Sequence, residues 1–142
     1  MIAARICGRC GVFIRGPVNQ WVLAQEQMSA SLLCYPCDPI QPTEGFGITV
    51  LEALTAGTPV LTTDADAFPE LWSDLVEMIP QKYASNPVVL ATAVAKVLQD
   101  KERWQELSVQ GKRKSWDYTW DRVGTRYANW LQESLNAKKG EE

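Results

Sequence analysis

Residues 44–59 have the sequence EGFGITVLEALTAGTP, which combines a glycine-containing turn, a short helix and two glutamates separated by seven residues. The apolar spacing after Gly47 predicts a helix that ends at Gly57, since Pro59 prevents continuation. A turn that leads into a helix presents backbone N–H groups at the positive end of the helix dipole, where phosphates bind. Because carboxylates accept hydrogen bonds from sugar hydroxyls, the two glutamates predict a ligand that is part phosphate and part sugar.

The segments around this stretch alternate between strands and helices, which predicts an α/β fold with a parallel sheet and crossover helices. Periodicity and turn residues place the predicted strands at Val12–Ile14, Ser31–Pro36, Val60–Thr63 and Val76–Pro80. The predicted helices are Asn19–Ser29, Gly47–Ala56, Glu70–Leu75, Pro87–Leu98, Glu102–Lys114 and Trp120–Leu135. The fold class is therefore a partial Rossmann-like parallel sheet with flanking helices and a helical C-terminal third.

Four predicted strands are few for a complete doubly wound domain. We therefore expect residues 11–135 to form an incomplete domain, the later part of a larger α/β unit. Residues 1–10 are expected to be the end of a truncated lead-in helix, and residues 136–142 a disordered tail.

Composition and charge exclude several classes of function. The chain has 142 residues, a net charge of −3 and a sequence pI near 5.0, which argues against nucleic acid as a partner. It contains no histidine, so the commonest general base at neutral pH is absent. The sequence has neither a transmembrane stretch nor the apolar segment of a signal peptide, and we expect a cytoplasmic protein.

The four cysteines form two C-x-x-C pairs, Cys7 with Cys10 and Cys34 with Cys37. Four thiolates can close a tetrahedral zinc site, although the separation of the pairs exceeds the common roughly 15–20 residues. Cys34 ends an apolar run that is typical of a buried strand, where cysteine packs as a small hydrophobe. We favour packing and no metal, and a zinc-stapled module stays open as the lesser alternative.

The stretch at 44–59 resembles the signature of glycosyltransferase family 4, a group of retaining, nucleotide-sugar-dependent transferases with the GT-B fold. Weaker similarities flank it on both sides and extend the resemblance over roughly residues 11–135. They lie at Val12–Val18, Leu32–Pro36, Pro69–Glu70 and Trp116–Val123. The resemblance implies the latter part of the C-terminal, nucleotide-sugar-binding domain.

The resemblance also implies roles for residues at matching positions. Glu44 would bind hydroxyls of the transferred sugar, Glu52 would hold the two ribose hydroxyls, and the backbone of residues 47–49 would meet the diphosphate. Gly45 and Gly47 would let that backbone approach the ligand closely. The implied donor-binding residues are Glu44, Gly45, Phe46, Gly47, Ile48, Thr49, Glu52, Val18 and Asn19, with Glu44 as the catalytic candidate.

The family's acceptor-binding domain has no counterpart in this sequence, and neither do the basic residues that neutralise the departing diphosphate. The implied activity is retaining transfer from a UDP-, GDP- or ADP-sugar, with no cofactor. We expect this chain to be a donor-binding part that is inactive by itself and pairs with an acceptor domain or partner chain. Peripheral membrane association through that absent half stays open, as does a non-catalytic module that binds a nucleotide or a partner.

Overall fold

The structure is a computed structural model that describes residues 11–37 and 45–139. Within these residues a small parallel sheet is surrounded by helices, and the C-terminal third is helical. The strands are β1 (Leu33–Tyr35), β2 (Val60–Thr63) and β3 (Glu77–Ile79). The α-helices are α1 (Gln20–Ser29), α2 (Ile48–Ala56), α3 (Phe68–Trp72), α4 (Pro87–Gln99), α5 (Lys101–Ser115) and α6 (Trp120–Lys139). Two short 3₁₀ helices lie at Gln81–Tyr83 and Trp116–Tyr118.

The strands of the described sheet run in the order β1-β2-β3, and both pairs are parallel. Leu33 pairs with Val60, and Leu61 pairs with Glu77. Helix α2 connects β1 to β2, and α3 connects β2 to β3, as parallel pairing requires. All four residues of the central strand β2 are buried, because neighbouring strands and helices cover it. The predicted fold class is confirmed.

The predicted strand at Val12–Ile14 is wrong. Residues 12–19 contain no strand, and the Phe13 side chain is 85% exposed. A β-rich run becomes a strand only when another strand satisfies its backbone N–H and C=O groups, and no described strand lies beside this one.

The final helix is longer than the sequence predicted. Helix α6 continues to Lys139 and so includes the first four residues of the segment expected to be a disordered tail. The expectations for residues 1–10 and 140–142 lie outside the described residues.

Helix α2 is held at its C-terminal end by a left-handed glycine and by helix α5. Gly57 has φ 82° and ψ 17°, and its N–H donates to the carbonyls of Ala53 and Leu54. The Ser108 hydroxyl on α5 donates to the Gly57 carbonyl at 2.6 Å. A Cβ at Gly111 would lie 2.6 Å from Leu54 Cδ2, so α5 crosses α2 closely at this glycine.

Helix α3 supplies the two largest fully buried side chains of the described residues, Phe68 and Trp72. They belong to a core cluster that also contains Val50, Ala53 and Leu54 of α2. The short helix α3 therefore packs against α2 and the turn that precedes it.

Candidate functional site

The turn before α2 places the N-terminus of this helix at one end of the core cluster, and among the described residues no side chain caps it. Gly47 is the N-cap residue, with φ 76° and ψ 60°, and no side chain caps the helix through it. The Leu51 N–H donates to the Gly47 carbonyl at 3.1 Å, which starts the helical hydrogen bonds. The N–H groups of Ile48 and Thr49 precede that bond and point out of the helix end. The Ile48 side chain is 64% exposed, so this end of α2 faces solvent.

The side of Gly47 that lacks a Cβ faces the core. A Cβ placed there would lie 2.6 Å from Phe68 Cε1 and 2.9 Å from Phe68 Cζ. The left-handed φ is a second reason for glycine, because L side chains rarely adopt it. The sequence had suggested that this glycine admits a ligand, whereas the structure shows that it admits the Phe68 ring.

Gly45 and Phe46, the neighbouring residues of the turn, are more exposed than Gly47. A Cβ on Gly45 would meet no atom within 4 Å, so the space beside Gly45 is open among the described residues. Phe46 is 37% exposed, and its carbonyl accepts a hydrogen bond of 2.9 Å from Trp72 Nε1. The Phe46 ring also contacts Trp72 and Tyr118 edge-on, with centroid distances of 5.3 and 5.5 Å.

Sequence reasoning missed Phe68, Trp72 and Tyr118 as residues of this site. They are 21 or more positions from Gly47, and an aromatic residue beside a proline, such as Phe68, is an ordinary feature of a helix start. The density of aromatic residues at 68–72 and 116–120 was the available signal.

Glu52 lies one turn along α2, at the edge of a cleft between α1 and α2. The cleft has a volume of about 470 Å³, and Glu52 is half-buried in it. Its lining residues are Gln20, Leu23, Ala24, Gln27, Met28, Leu51, Glu52, Thr55 and Ala56. No side chain in the described parts of the chain pairs with the Glu52 carboxylate. This mostly apolar cleft therefore carries one carboxylate that can accept two hydrogen bonds from a ligand.

The helical rise of about 1.5 Å per residue puts Glu52 roughly 6 Å along the axis from Ile48. A single ligand of phosphate and sugar can reach both the helix end and the carboxylate, so the structure brings Gly47, Ile48, Thr49 and Glu52 together on one helix.

Val18 and Asn19 directly precede Gln20, the first residue of α1 and a lining residue of the cleft. The Asn19 Oδ1 accepts a hydrogen bond of 2.9 Å from the Val22 N–H and caps α1. The Asn19 Oδ1 is thus engaged by the helix, and the Val18 side chain is 42% exposed.

Glu44, Cys7 and Cys10 lie outside the described residues. Of the second cysteine pair, Cys37 is buried and its N–H donates to Thr63 Oγ1 at 3.1 Å, while Cys34 is exposed. Partial burial of its sulfur raises the pKa of the Cys34 thiol. Residues 11–37 and 45–139 contain no group of three or more histidine, cysteine or acidic side chains that could hold a metal ion.

Comparisons with known proteins agree with this architecture. The family model described as glycosyl transferases group 1 matches residues 11–114. The chain is 32% identical over 95 residues to a phosphatidyl-myo-inositol mannosyltransferase of Mycobacterium leprae (strain TN), a match that covers 63% of this chain and 24% of the relative. The chain thus spans about a quarter of that protein.

A solved structure, sucrose-phosphate synthase from Thermosynechococcus elongatus, superposes with a TM-score of 0.64 at 20% identity. This match covers 87% of the present chain and 30% of the synthase, and it supports the GT-B type of fold. Among the described helices, none has the length and apolar character needed to cross a membrane. The resemblance found in the sequence is confirmed, and the chain belongs to the glycosyl transferases group 1 family.

Proposed function

We propose that this chain is the donor-binding part of a glycosyltransferase, and that it holds a nucleotide-diphosphate sugar at the N-terminus of α2. The observation that carries this proposal is the position of Glu52, half-buried and without a described partner, one turn from the left-handed Gly47. Membership of the group 1 family supports the same ligand class.

The diphosphate would bind at the helix end, where the N–H groups of Ile48 and Thr49 and the helix dipole favour negative charge. The open space beside Gly45 leaves room for the phosphate oxygens. The backbone supplies hydrogen-bond donors for the phosphate oxygens there.

The Glu52 carboxylate would accept hydrogen bonds from the two ribose hydroxyls, since its two oxygens match a vicinal diol. The ribose would then lie at the mouth of the cleft between α1 and α2. Val18 and Asn19, at the start of α1, would contact the base through their backbone groups or the Asn19 Nδ2–H₂, because Asn19 Oδ1 already caps the helix.

Glu44 directly precedes Gly45, so we assign the sugar end of the donor to its carboxylate. Transfer would proceed with retention, and the acceptor would be bound by another domain or a partner chain. The alternative is a non-catalytic nucleotide-binding module, which would bind the donor but transfer no sugar even when an acceptor-binding domain is supplied.

Ligand-dependent thermal stability tests the proposal, because a ligand that binds only the folded state raises the unfolding midpoint. The probes are UDP, GDP, ADP and their sugar conjugates at millimolar concentration. We expect one nucleotide class to raise the midpoint. An unchanged unfolding midpoint with every probe would overturn the proposed donor site.

Glu52→Gln keeps the shape of the side chain and removes its charge. We expect it to weaken binding of the active nucleotide by about 1–3 kcal/mol, since the ribose hydroxyls lose a charged acceptor. Glu133→Gln is the matched control, because Glu133 is exposed on α6, away from the cleft. Equal affinities of the Glu52 variant and the unaltered chain would remove Glu52 from the site.

A further inference from the structure

We propose that Trp72 and Tyr118 are positioning residues that hold the turn at residues 45–47 in its ligand-binding conformation and couple it to the start of α6. This proposal rests on the proposed function, because the turn matters for binding only if the diphosphate lies against it. Neither residue touches the ligand in this arrangement.

The indole of Trp72 fixes the peptide group in the middle of the turn. Trp72 is fully buried, and its Nε1–H donates to the Phe46 carbonyl at 2.9 Å. The Phe68 ring, one turn earlier on α3, fills the space beside Gly47. Helix α3 therefore contacts two successive residues of the turn, one through a hydrogen bond and one through packing.

Three aromatic rings close a triangle over this hydrogen bond. The Phe46 and Trp72 centroids are 5.3 Å apart with planes at 70°, and those of Phe46 and Tyr118 are 5.5 Å apart at 65°. The Trp72 and Tyr118 centroids are 5.3 Å apart, with planes at 52°. The two Phe46 pairs have the edge-to-face geometry that aromatic rings prefer, and the Trp72–Tyr118 pair is tilted.

Tyr118 connects the triangle to the last helix. It ends the 3₁₀ helix at Trp116–Tyr118, two residues before α6 begins. The neighbouring Asp117 accepts a hydrogen bond of 2.6 Å from Arg122 Nη1, and the Asp117 carbonyl accepts one of 2.9 Å from Arg126 Nη2. The segment before α6 thus contacts the turn through Tyr118 and the first turns of α6 through Asp117.

The contacts of Trp72 and Tyr118 with Phe46, here called the clamp, matter because glycines flank Phe46. No atom of the described residues lies near the Cβ position of Gly45, so their packing does not restrict it on that side. Glycine also loses the most backbone freedom when a conformation is fixed. Contacts on Phe46 therefore limit the number of conformations that the turn adopts before a diphosphate binds, which lowers the entropic cost of binding.

Hydrogen–deuterium exchange of the ligand-free chain tests the clamp without any nucleotide. Trp72→Phe keeps an aromatic ring and removes the Nε1–H donor. Loss of one such hydrogen bond should accelerate exchange of the Leu51 amide, whose N–H donates to the carbonyl of the turn residue Gly47, by about 3- to 10-fold. Trp104→Phe is the matched control, because Trp104 Nε1 donates to a backbone carbonyl, that of Ser31, on another part of the fold. Equal exchange of the Leu51 amide in both variants would overturn the proposal.

A binding measurement then separates positioning from general loss of stability. The probes are UDP, GDP and ADP, each compared with its nucleoside, which lacks the phosphates. We expect Trp72→Phe to weaken binding of the active diphosphate by about 3- to 10-fold and to leave nucleoside binding unchanged. An equal loss for both ligands would show a merely structural role for Trp72.

Tyr118→Leu provides the second variant if Trp72→Phe does not fold, because Tyr118 is only half-buried. It should also accelerate exchange of the Leu51 amide, and unchanged exchange of that amide would overturn the coupling to α6. If the unaltered chain binds no probe, the proposed function fails, while the exchange experiment still decides whether the clamp exists.

Discussion

Replacing Gly47 by alanine should destabilise the protein more than any other glycine-to-alanine change tested in this fold. The substitution introduces two separate problems. The residue has φ 76°, which is unfavourable for an L side chain, and its Cβ would lie 2.6 Å from Phe68 Cε1. Phe68 is fully buried, so its ring has little room to move away.

The magnitude follows from the two contributions. A left-handed conformation costs a non-glycine residue roughly 1–2 kcal/mol. Overpacking a well-filled core costs roughly 1–3 kcal/mol. We therefore expect Gly47→Ala to lower the free energy of unfolding by about 2–5 kcal/mol.

Three other glycines separate the contributions. Gly57 has φ 82° with its nearest contact at 3.5 Å, so Gly57→Ala should show the backbone cost alone, about 1–2 kcal/mol. Gly111 lies within α5 with a Cβ contact of 2.6 Å to Leu54 Cδ2, so its alanine variant should show a packing cost of about 1–3 kcal/mol, offset by the roughly 1 kcal/mol that alanine gains over glycine in a helix interior. Gly45→Ala meets neither problem and should change stability by less than about 0.5 kcal/mol.

Urea unfolding measures all four variants. With a slope of roughly 2 kcal/mol per M, the Gly47 variant should lose about 1–2.5 M in midpoint. A Gly47→Ala effect no larger than that of Gly57→Ala would refute the predicted clash. A value equal to that of Gly45→Ala would refute the left-handed turn as well.

A double mutant locates the clash. Combining Gly47→Ala with Phe68→Leu replaces the ring that the new methyl group meets. The double variant should be less destabilised than the sum of the single variants by about 1 kcal/mol or more, since the two positions are in contact. Additive effects would place the strain elsewhere.

Two further predictions concern the second cysteine pair and the threonine beside it. Thr63→Val removes the buried Oγ1 that accepts the Cys37 N–H, and it should lower the free energy of unfolding in urea by about 1–3 kcal/mol. The control Thr92→Val, at an exposed position, should lower it by less than about 0.5 kcal/mol. Similar values for both variants would contradict the role of this hydrogen bond. Alkylation by iodoacetamide, mapped by mass spectrometry, should modify Cys34 in the folded chain more slowly than in the unfolded chain at the same pH, because its raised pKa leaves less thiolate. Buried Cys37 should react only along the unfolding transition, and rapid alkylation of Cys37 in the folded chain would contradict its placement.

The helix ends were predictable because their causes are local. Asn19 precedes α1 and accepts the Val22 N–H, as expected for an N-cap residue. Gly47 and Gly57 bound α2 with left-handed backbones, which favour glycine at such positions. These signals lie within three residues of the structure that they determine.

The lack of a strand at Val12–Ile14 was not predictable in the same way. Its residues have high β propensity, yet a strand depends on a partner that is distant in the sequence. The pairing of Leu33 with Val60 shows the same dependence, since a whole crossover helix separates the two residues. Propensity alone could not distinguish the run that pairs from the run that does not.

The sequence by itself determined the glycine turn, the helix that follows it, and the position of Glu52 one turn from the helix start, because backbone dihedrals and helical periodicity are local properties. Only the tertiary structure decided that the bare side of Gly47 faces Phe68 and that Trp72 and Tyr118 enclose Phe46. These contacts join residues 21 to 72 positions apart, and their geometry depends on how α3 and the segment before α6 pack against α2. The candidate site residues were therefore predictable from one short stretch of sequence, whereas the contacts that hold this stretch in place depend on tertiary packing.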